Sequence, residues 1–130
     1  MLIETKQALM DVRNTVREWG EPLDFFIRSE EDVKRGSLGS PVSHSTKSVR
    51  VYAYPIERVT TEKQLTKAGL SEQCNTIVYT AALSWKDLDI DNFDVSRMTV
   101  GYDGREWQVS QLGKVGKFGG EYQYITFGLK

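Results

Sequence analysis

The sequence predicts a mainly β domain with added helices, of the α+β class. It is expected to be a small β-barrel or sandwich with an N-terminal helix, a short mid-chain helix, a long polar loop and a C-terminal three-stranded meander. Three observations predict this. Residues 98–130 break into three strand-like runs separated by Asp103-Gly104 and Gly119-Gly120, residue pairs that suit tight hairpin turns. Residues 4–19 instead space their apolar side chains as a helix does. Finally, 130 residues with 39% hydrophobic and 27% charged content describe one globular domain, residues 1–130, able to bury a core without disulfides or metal.

In the N-terminal helix, within residues 1–20, Leu2, Leu9, Val12, Val16 and Trp19 form an apolar stripe expected to pack on a sheet. Gly20 and Pro22 stop it. Leu23 to Arg28 follows as a strand, with Leu23, Phe25 and Ile27 on one face and Asp24, Phe26 and Arg28 on the other. Residues 29–47 are dominated by Ser, Gly, Glu and Lys without periodicity, and include Lys34 and Arg35. Segments of this length are uncommon in compact domains and are usually functional or disordered. This one is expected to be a mobile excursion with Val33, Leu38 and Val42 as its apolar contacts. Ser48 to Tyr54 returns to strand, and Pro55 predicts an edge or a strand end. Thr60 or Thr61 caps a short helix closed by Gly69, placed at the rim because its outward face is polar. Asn75 to Ser84 reads as a buried strand with Ile77, Tyr79, Ala81 and Leu83 on one face, and Lys86 to Asp94 as an acidic linker.

The meander, residues 98–130, carries enough pattern to predict register. Asp103-Gly104 sets Val100 opposite Trp107 and Met98 opposite Val109, which places all four on one face. For the second hairpin, a turn of Gly119-Gly120 alone would put Val109 and Trp107 on the face opposite Ile125, Phe127 and Leu129. A three-residue loop, Phe118-Gly119-Gly120, restores parity through a bulge with Gly120 left-handed, pairing Lys117 with Glu121 and Val109 with Leu129. The reverse face then carries Leu112, Lys114, Tyr122 and Tyr124, positions that a helix or a neighbouring subunit could cover.

Composition excludes several classes of chemistry. With seventeen basic and eighteen acidic residues the net charge is −1, which argues against a dedicated nucleic-acid binder. The apolar runs are too short to cross a bilayer and no charged-then-apolar leader opens the sequence, so no membrane partner is expected. Cys74 is the sole cysteine, which precludes an intrachain disulfide and suggests a reducing site of synthesis. One His (His44) and one Cys cannot complete a tetrahedral zinc site. As a nucleophile pair they are disfavoured, because Cys74 has no electropositive flank in sequence. Asp87, Asp89, Asp91 and Asp94 alternate like the start of a calcium loop, yet Asn92 and Met98 stand where its glycine and closing Glu belong. No catalytic residue, cofactor or metal ligand is expected, and an enzyme is disfavoured.

The stretches Asp103-Gly104-Arg105-Glu106-Trp107-Gln108-Val109, Lys117-Phe118-Gly119-Gly120-Glu121-Tyr122 and Phe127-Gly128-Leu129-Lys130 resemble small head–tail connector proteins of tailed bacteriophages, of the head-closure (stopper) type. The order of earlier elements, up to Tyr52-Ala53-Tyr54-Pro55, is also similar; the helix at Thr60 to Leu70 and the acidic linker depart from the pattern. The resemblance implies a non-enzymatic virion protein of the phage neck, made in the bacterial cytoplasm, assembling with itself into a ring, commonly twelve-fold. That ring would sit between the portal or adaptor ring and the tail-terminator or tail proteins, let DNA pass non-specifically through its lumen, retain the packaged genome and dock the tail. It implies inter-subunit or inter-ring contacts at Val33, Lys34, Arg35, Leu38 and Val42, with Lys114, Phe118, Tyr122 and Tyr124 as further candidates from the meander. The alternatives are a tail-terminator or tail-completion protein, or a small barrel binding a ligand or single-stranded nucleic acid through Trp85, Trp107, Tyr122 and Tyr124.

Overall fold

The computed structural model of the chain describes residues 2–28, 46–88 and 94–130. Among them, helix α1 (Ile3–Trp19) leads into β1 (Glu21–Arg28) and β2 (Thr46–Arg58), followed by the short helix α2 (Glu62–Lys67) and β3 (Thr76–Ala81). Then come β4 (Met98–Tyr102), β5 (Arg105–Phe118) and β6 (Glu121–Leu129). The six strands close into an antiparallel barrel in the order β1-β2-β3-β6-β5-β4, with β4 returning to β1. Closure removes the free edges through which strands of different chains pair.

Alternation along each strand fills the barrel. Leu23 and Phe25 from β1, Val51 and Ala53 from β2, Val78 from β3 and Val100 from β4 point inward with Phe127 and Leu129 from β6. At the centre Phe25, Trp85 and Phe127 pack with ring centroids 5.0–5.3 Å apart, within the favourable range for aromatic pairs. Trp85 was not expected there. The strand predicted to run to Ser84 ends at Ala81, and a 3₁₀ turn over Ala82–Trp85 swings the indole inward. Its Nε1 donates to the Thr80 hydroxyl at 2.8 Å, which in turn donates to the Ile125 carbonyl at 2.7 Å. Leu83, predicted to share the strand's face, lies instead within that turn.

A second, smaller core lies outside the barrel wall. Leu65, Ala68 and Leu70, from α2 and the segment after it, cover Ile77 and Tyr79 of β3 together with Val115 and Tyr124. This corrects the rim placement of α2, whose polar outward face hides an apolar inner one. Three contacts fix the dock. The Thr126 hydroxyl donates to the Ala68 carbonyl at 2.6 Å. Gln111 accepts from the Ser71 and Glu72 amides at 2.9 and 2.8 Å. Gly113 lies so close beneath Ala68 that a Cβ there would come within 2.6 Å of its carbonyl oxygen. The barrel interior on one side, and α1 together with the α2 segment on the other, leave every residue of β3 buried.

The Asp103-Gly104 turn has positive φ at both residues, and Val100 pairs with Trp107 as predicted. The second hairpin differs. Phe118 pairs with Glu121, so the loop is Gly119-Gly120 alone, both with positive φ. The compensating extra residue lies farther down, where the register shifts between Val109 and Gln111 and still sets Val109 opposite Leu129. The predicted face splits as a result: Leu112 pairs with Phe127 and Lys114 with Ile125 on the interior side, whereas Tyr122 and Tyr124 lie outside.

Two further boundaries move. β2 begins at Thr46, so Thr46 and Lys47 belong to strand and not to the predicted loop. It also continues through Pro55, where a register shift between Ala53 and Ile56 absorbs the residue. A bulge tolerates proline as an edge does.

Candidate functional site

Helix α1 lies against β2, β3, β6 and the Ala82–Trp85 turn. Thr5, Leu9 and Val16 are its buried residues. The predicted stripe overhangs this footprint: Leu2 is 69% exposed and Trp19 66% exposed. At the helix start, Thr5 sits against the β5–β6 turn so tightly that a Cβ on Gly119 would land on its hydroxyl. Leu2 and Ile3 at the start of the helix and Phe118 and Tyr122 on the hairpin, all exposed, flank that contact. At the helix end, Gly20 abuts the Ala53 carbonyl, and exposed Trp19, Tyr52 and Tyr54 flank this second contact. With a rise of about 1.5 Å per residue, the two patches lie on the order of 25 Å apart.

The predicted contact residues therefore do not form one surface. Phe118 and Tyr122 share the hairpin tip, with Lys117 Nζ 5.7 Å from the Tyr122 ring. Tyr124 is half-buried, edge-on to Tyr79 at 6.1 Å, beneath the α2 segment. Lys114 is half-buried on the interior side of β5. Val33, Lys34, Arg35, Leu38 and Val42 lie outside the described residues, as does His44. The sequence reading missed the patch of Trp19, Tyr52 and Tyr54. Its signal was an aromatic residue at the last helical position followed two strands later by Tyr52 and Tyr54.

The proposed stacking set for single-stranded nucleic acid is dispersed. Trp85 is 1% exposed. Trp107 donates to the Tyr102 carbonyl at 3.0 Å and is capped by the Arg105 guanidinium at 3.7 Å. Cys74 is buried, which pushes its thiol up against the opposing effects of the Leu129 amide and Lys130, the wrong direction for a nucleophile. Among the described residues no group of His, Cys, Asp and Glu could hold a metal ion. Asp89 and Asp91 fall outside those residues. Asp94 instead caps the 3₁₀ turn Val95–Arg97, accepting from the Ser96 hydroxyl at 2.5 Å and amide at 3.0 Å. These bonds, with nearby Arg97, hold its carboxyl below the usual range. Their contribution is complete at neutral pH and is lost only as pH falls through that lowered value.

The outer wall of β2-β1-β4-β5, away from α2, bears a groove of about 510 Å³. Phe26, Thr99 and Gln108 form a row across its floor, paired in register on β1, β4 and β5. Gln108 ties the wall together, its amide donating to the carbonyls of Ser96 and Met98 at 3.1 and 3.3 Å. No protein-family model matches the chain, and no curated protein sequence matches it.

Proposed function

We propose that the chain is a structural subunit of the tailed-phage neck, a head-closure protein that forms a ring between portal or adaptor and tail. The observation that carries this reading is the pair of different exposed apolar patches at the two ends of α1. Identical subunits arranged in a ring meet through two unlike surfaces, one facing each neighbour. A patch of Leu2, Ile3, Phe118 and Tyr122 and another of Trp19, Tyr52 and Tyr54 supply such a pair, and aromatic residues are enriched at the centres of interfaces. The closed barrel supports the reading by offering a rigid body without open strand edges. The likeness of the meander to head-closure proteins supplies the biological setting, and a net charge of −1 suits a channel through which DNA slides.

The test is immunogold labelling of tailed particles purified from a host that carries the coding sequence. Label at the neck is expected. Label at the head-proximal end of an isolated tail points to the tail-terminator alternative, and absence from particles overturns both readings.

A deletion separates the role of residues 29–45 from that of the fold. Residues 29–45 connect Arg28 to Thr46, which are paired neighbours in the β1–β2 ladder. Removing Ser37 to Ser45 leaves the eight residues 29–36 to join these ends, ample for a hairpin, whose loops typically run to about five. The deletion is expected to keep the melting temperature within about 3 °C of the parent while abolishing infectious particle assembly or genome retention. Normal assembly would show that this segment has no such role.

A further inference from the structure

We propose that the groove on the β2-β1-β4-β5 wall binds a neutral oligosaccharide, one of whose pyranose units stacks on Phe26. This site is separate from both patches on α1, and the inference stands whether or not those patches form a ring.

The floor of the groove is aromatic. Phe26 alternates with the core residues Phe25 and Ile27, so it faces outward, between its cross-strand partners Ser48 and Thr99. Its ring reaches diagonally over the wall to Gly101, with Cε2 3.7 Å from where a Cβ would stand. Gly101, having no side chain, leaves the space in which the half-buried ring lines the groove. The face of such a ring is electron-rich. It attracts the C–H bonds on the flat side of a pyranose, which the sugar's oxygens polarise, and stacking there removes apolar area from water.

Donors and acceptors both surround that floor. Glu106 pairs with Gly101, yet its carboxylate turns back into the Phe26 row, where Oε1 accepts from the Thr99 hydroxyl at 2.6 Å. Its second oxygen is an acceptor beside the ring. Gln108, in the same row, spends its amide nitrogen on the Ser96 and Met98 carbonyls at 3.1 and 3.3 Å, so the amide oxygen is what it offers the groove. Exposed Arg28, at the next outward position along β1, brings a fork of N–H donors beside the Thr46 hydroxyl. A sugar hydroxyl donates and accepts at once, so vicinal hydroxyls match the guanidinium fork and the carboxylate alike.

The balance of charge favours an uncharged occupant. Asp24 and Arg50 are paired at 3.1 Å, and Arg97 is engaged with Asp94, Nε to Oδ2 3.5 Å. Arg28 and Glu106 belong to neither pair and contribute one charge of each sign. A polyanion drawn to Arg28 therefore meets Glu106, and a polycation drawn to Glu106 meets Arg28. Exposed charge pairs are in any case weak, whereas a neutral polyol uses the ring, the fork and both acceptors together. The volume of about 510 Å³ falls within the range of small-molecule sites. Strand addition is excluded as a docking mode because the barrel is closed.

The probes are maltohexaose, cellohexaose, laminarihexaose and mannohexaose, each titrated by saturation-transfer NMR at low and high salt. Controls are hexaglutamate, hexalysine and an oligodeoxythymidine. Residues 29–45 join Arg28 to Thr46, two residues of the groove, so every titration is run on the parent and on the Ser37 to Ser45 deletion. Saturable binding of at least one hexasaccharide is expected, changing by less than about twofold with salt because no counterion is displaced. Phe26→Leu keeps apolar bulk on the wall and removes the aromatic face, and should weaken binding about fivefold or more. Glu106→Gln and Arg28→Gln should each weaken it about threefold or more. Thermal melts followed by circular dichroism establish that each variant is folded. Absence of hexasaccharide binding to both proteins overturns the proposal. So does a folded Phe26→Leu, Glu106→Gln or Arg28→Gln variant that binds as the parent does, binding that collapses at high salt, or a charged control that binds as tightly as the sugar.

Discussion

Replacing Trp85 with alanine is expected to destabilise the barrel by about 3–5 kcal/mol, the range for emptying a large aromatic site in a packed core. Domains of this size are stable by only about 5–15 kcal/mol, so the loss removes about a fifth of the total or more. Trp85 is 1% exposed and touches both other central rings, edge-on to Phe25 and tilted against Phe127. Those rings belong to β1 and β6, on different sides of the closed sheet, so the indole bridges the barrel interior. Its Nε1 also satisfies the Thr80 hydroxyl. Trp85→Phe keeps most of the packing and removes that hydrogen bond, and should cost about 1–2 kcal/mol. Urea unfolding followed by circular dichroism checks both. An alanine variant that loses less than about 1 kcal/mol would mean that the interior collapses around the hole, contrary to a rigid closed barrel.

That Trp85 went unread shows where local pattern stops. The run Asn75 to Ser84 looks like one continuous strand, because alternation says nothing about where a chain turns inward. The turn is imposed by the barrel itself, whose interior has room for one more large ring between Phe25 and Phe127. The β4–β5 hairpin was legible because Asp103-Gly104 and the apolar alternation agree, and both residues of that turn are local. The groove was half legible. Phe26 and Arg28 were placed off the core face of β1, but their neighbours Thr99 and Gln108 arrive only when β4 closes on β1, a pairing between segments about seventy residues apart that no local pattern encodes.

The β5–β6 hairpin gives the sharper case. Its apolar positions demand one extra residue on β5, and a wider turn or a bulge in the strand satisfies that demand equally. Both end with Val109 opposite Leu129. The chain takes the bulge beside Ser110, whose hydroxyl donates to the Gly128 carbonyl at 3.1 Å. Moving the extra residue there turns Gly113 and Val115 outward, where α2 docks on them. The choice thus depends on α2, more than forty residues earlier in the sequence.

Gly119→Val is expected to destabilise the protein by about 2–5 kcal/mol, and Gly120→Ala by only about 1 kcal/mol. Both glycines have positive φ, +59° and +84°, so each substitution carries the left-handed penalty that a Cβ incurs. They differ in what surrounds them. Nothing lies within 4 Å of a Cβ at Gly120, whereas one at Gly119 meets Thr5, a residue of the first turn of α1 that is 1% exposed. Valine at 119 must therefore push the start of α1 off the hairpin. A Thr5→Gly change made together with Gly119→Val should recover part of the loss, because it removes the side chain that is struck; additivity of the two changes would show that they do not touch. The comparison also tests register. A three-residue loop would leave Gly120 as the demanding position, and the order of the two effects would reverse. Displacing α1 would disrupt the patch of Leu2, Ile3, Phe118 and Tyr122 as well. The proposed ring function then predicts that particle assembly fails in the Gly119→Val variant at temperatures where its barrel remains folded, whereas Gly120→Ala, which strains the same turn without moving the helix, still assembles.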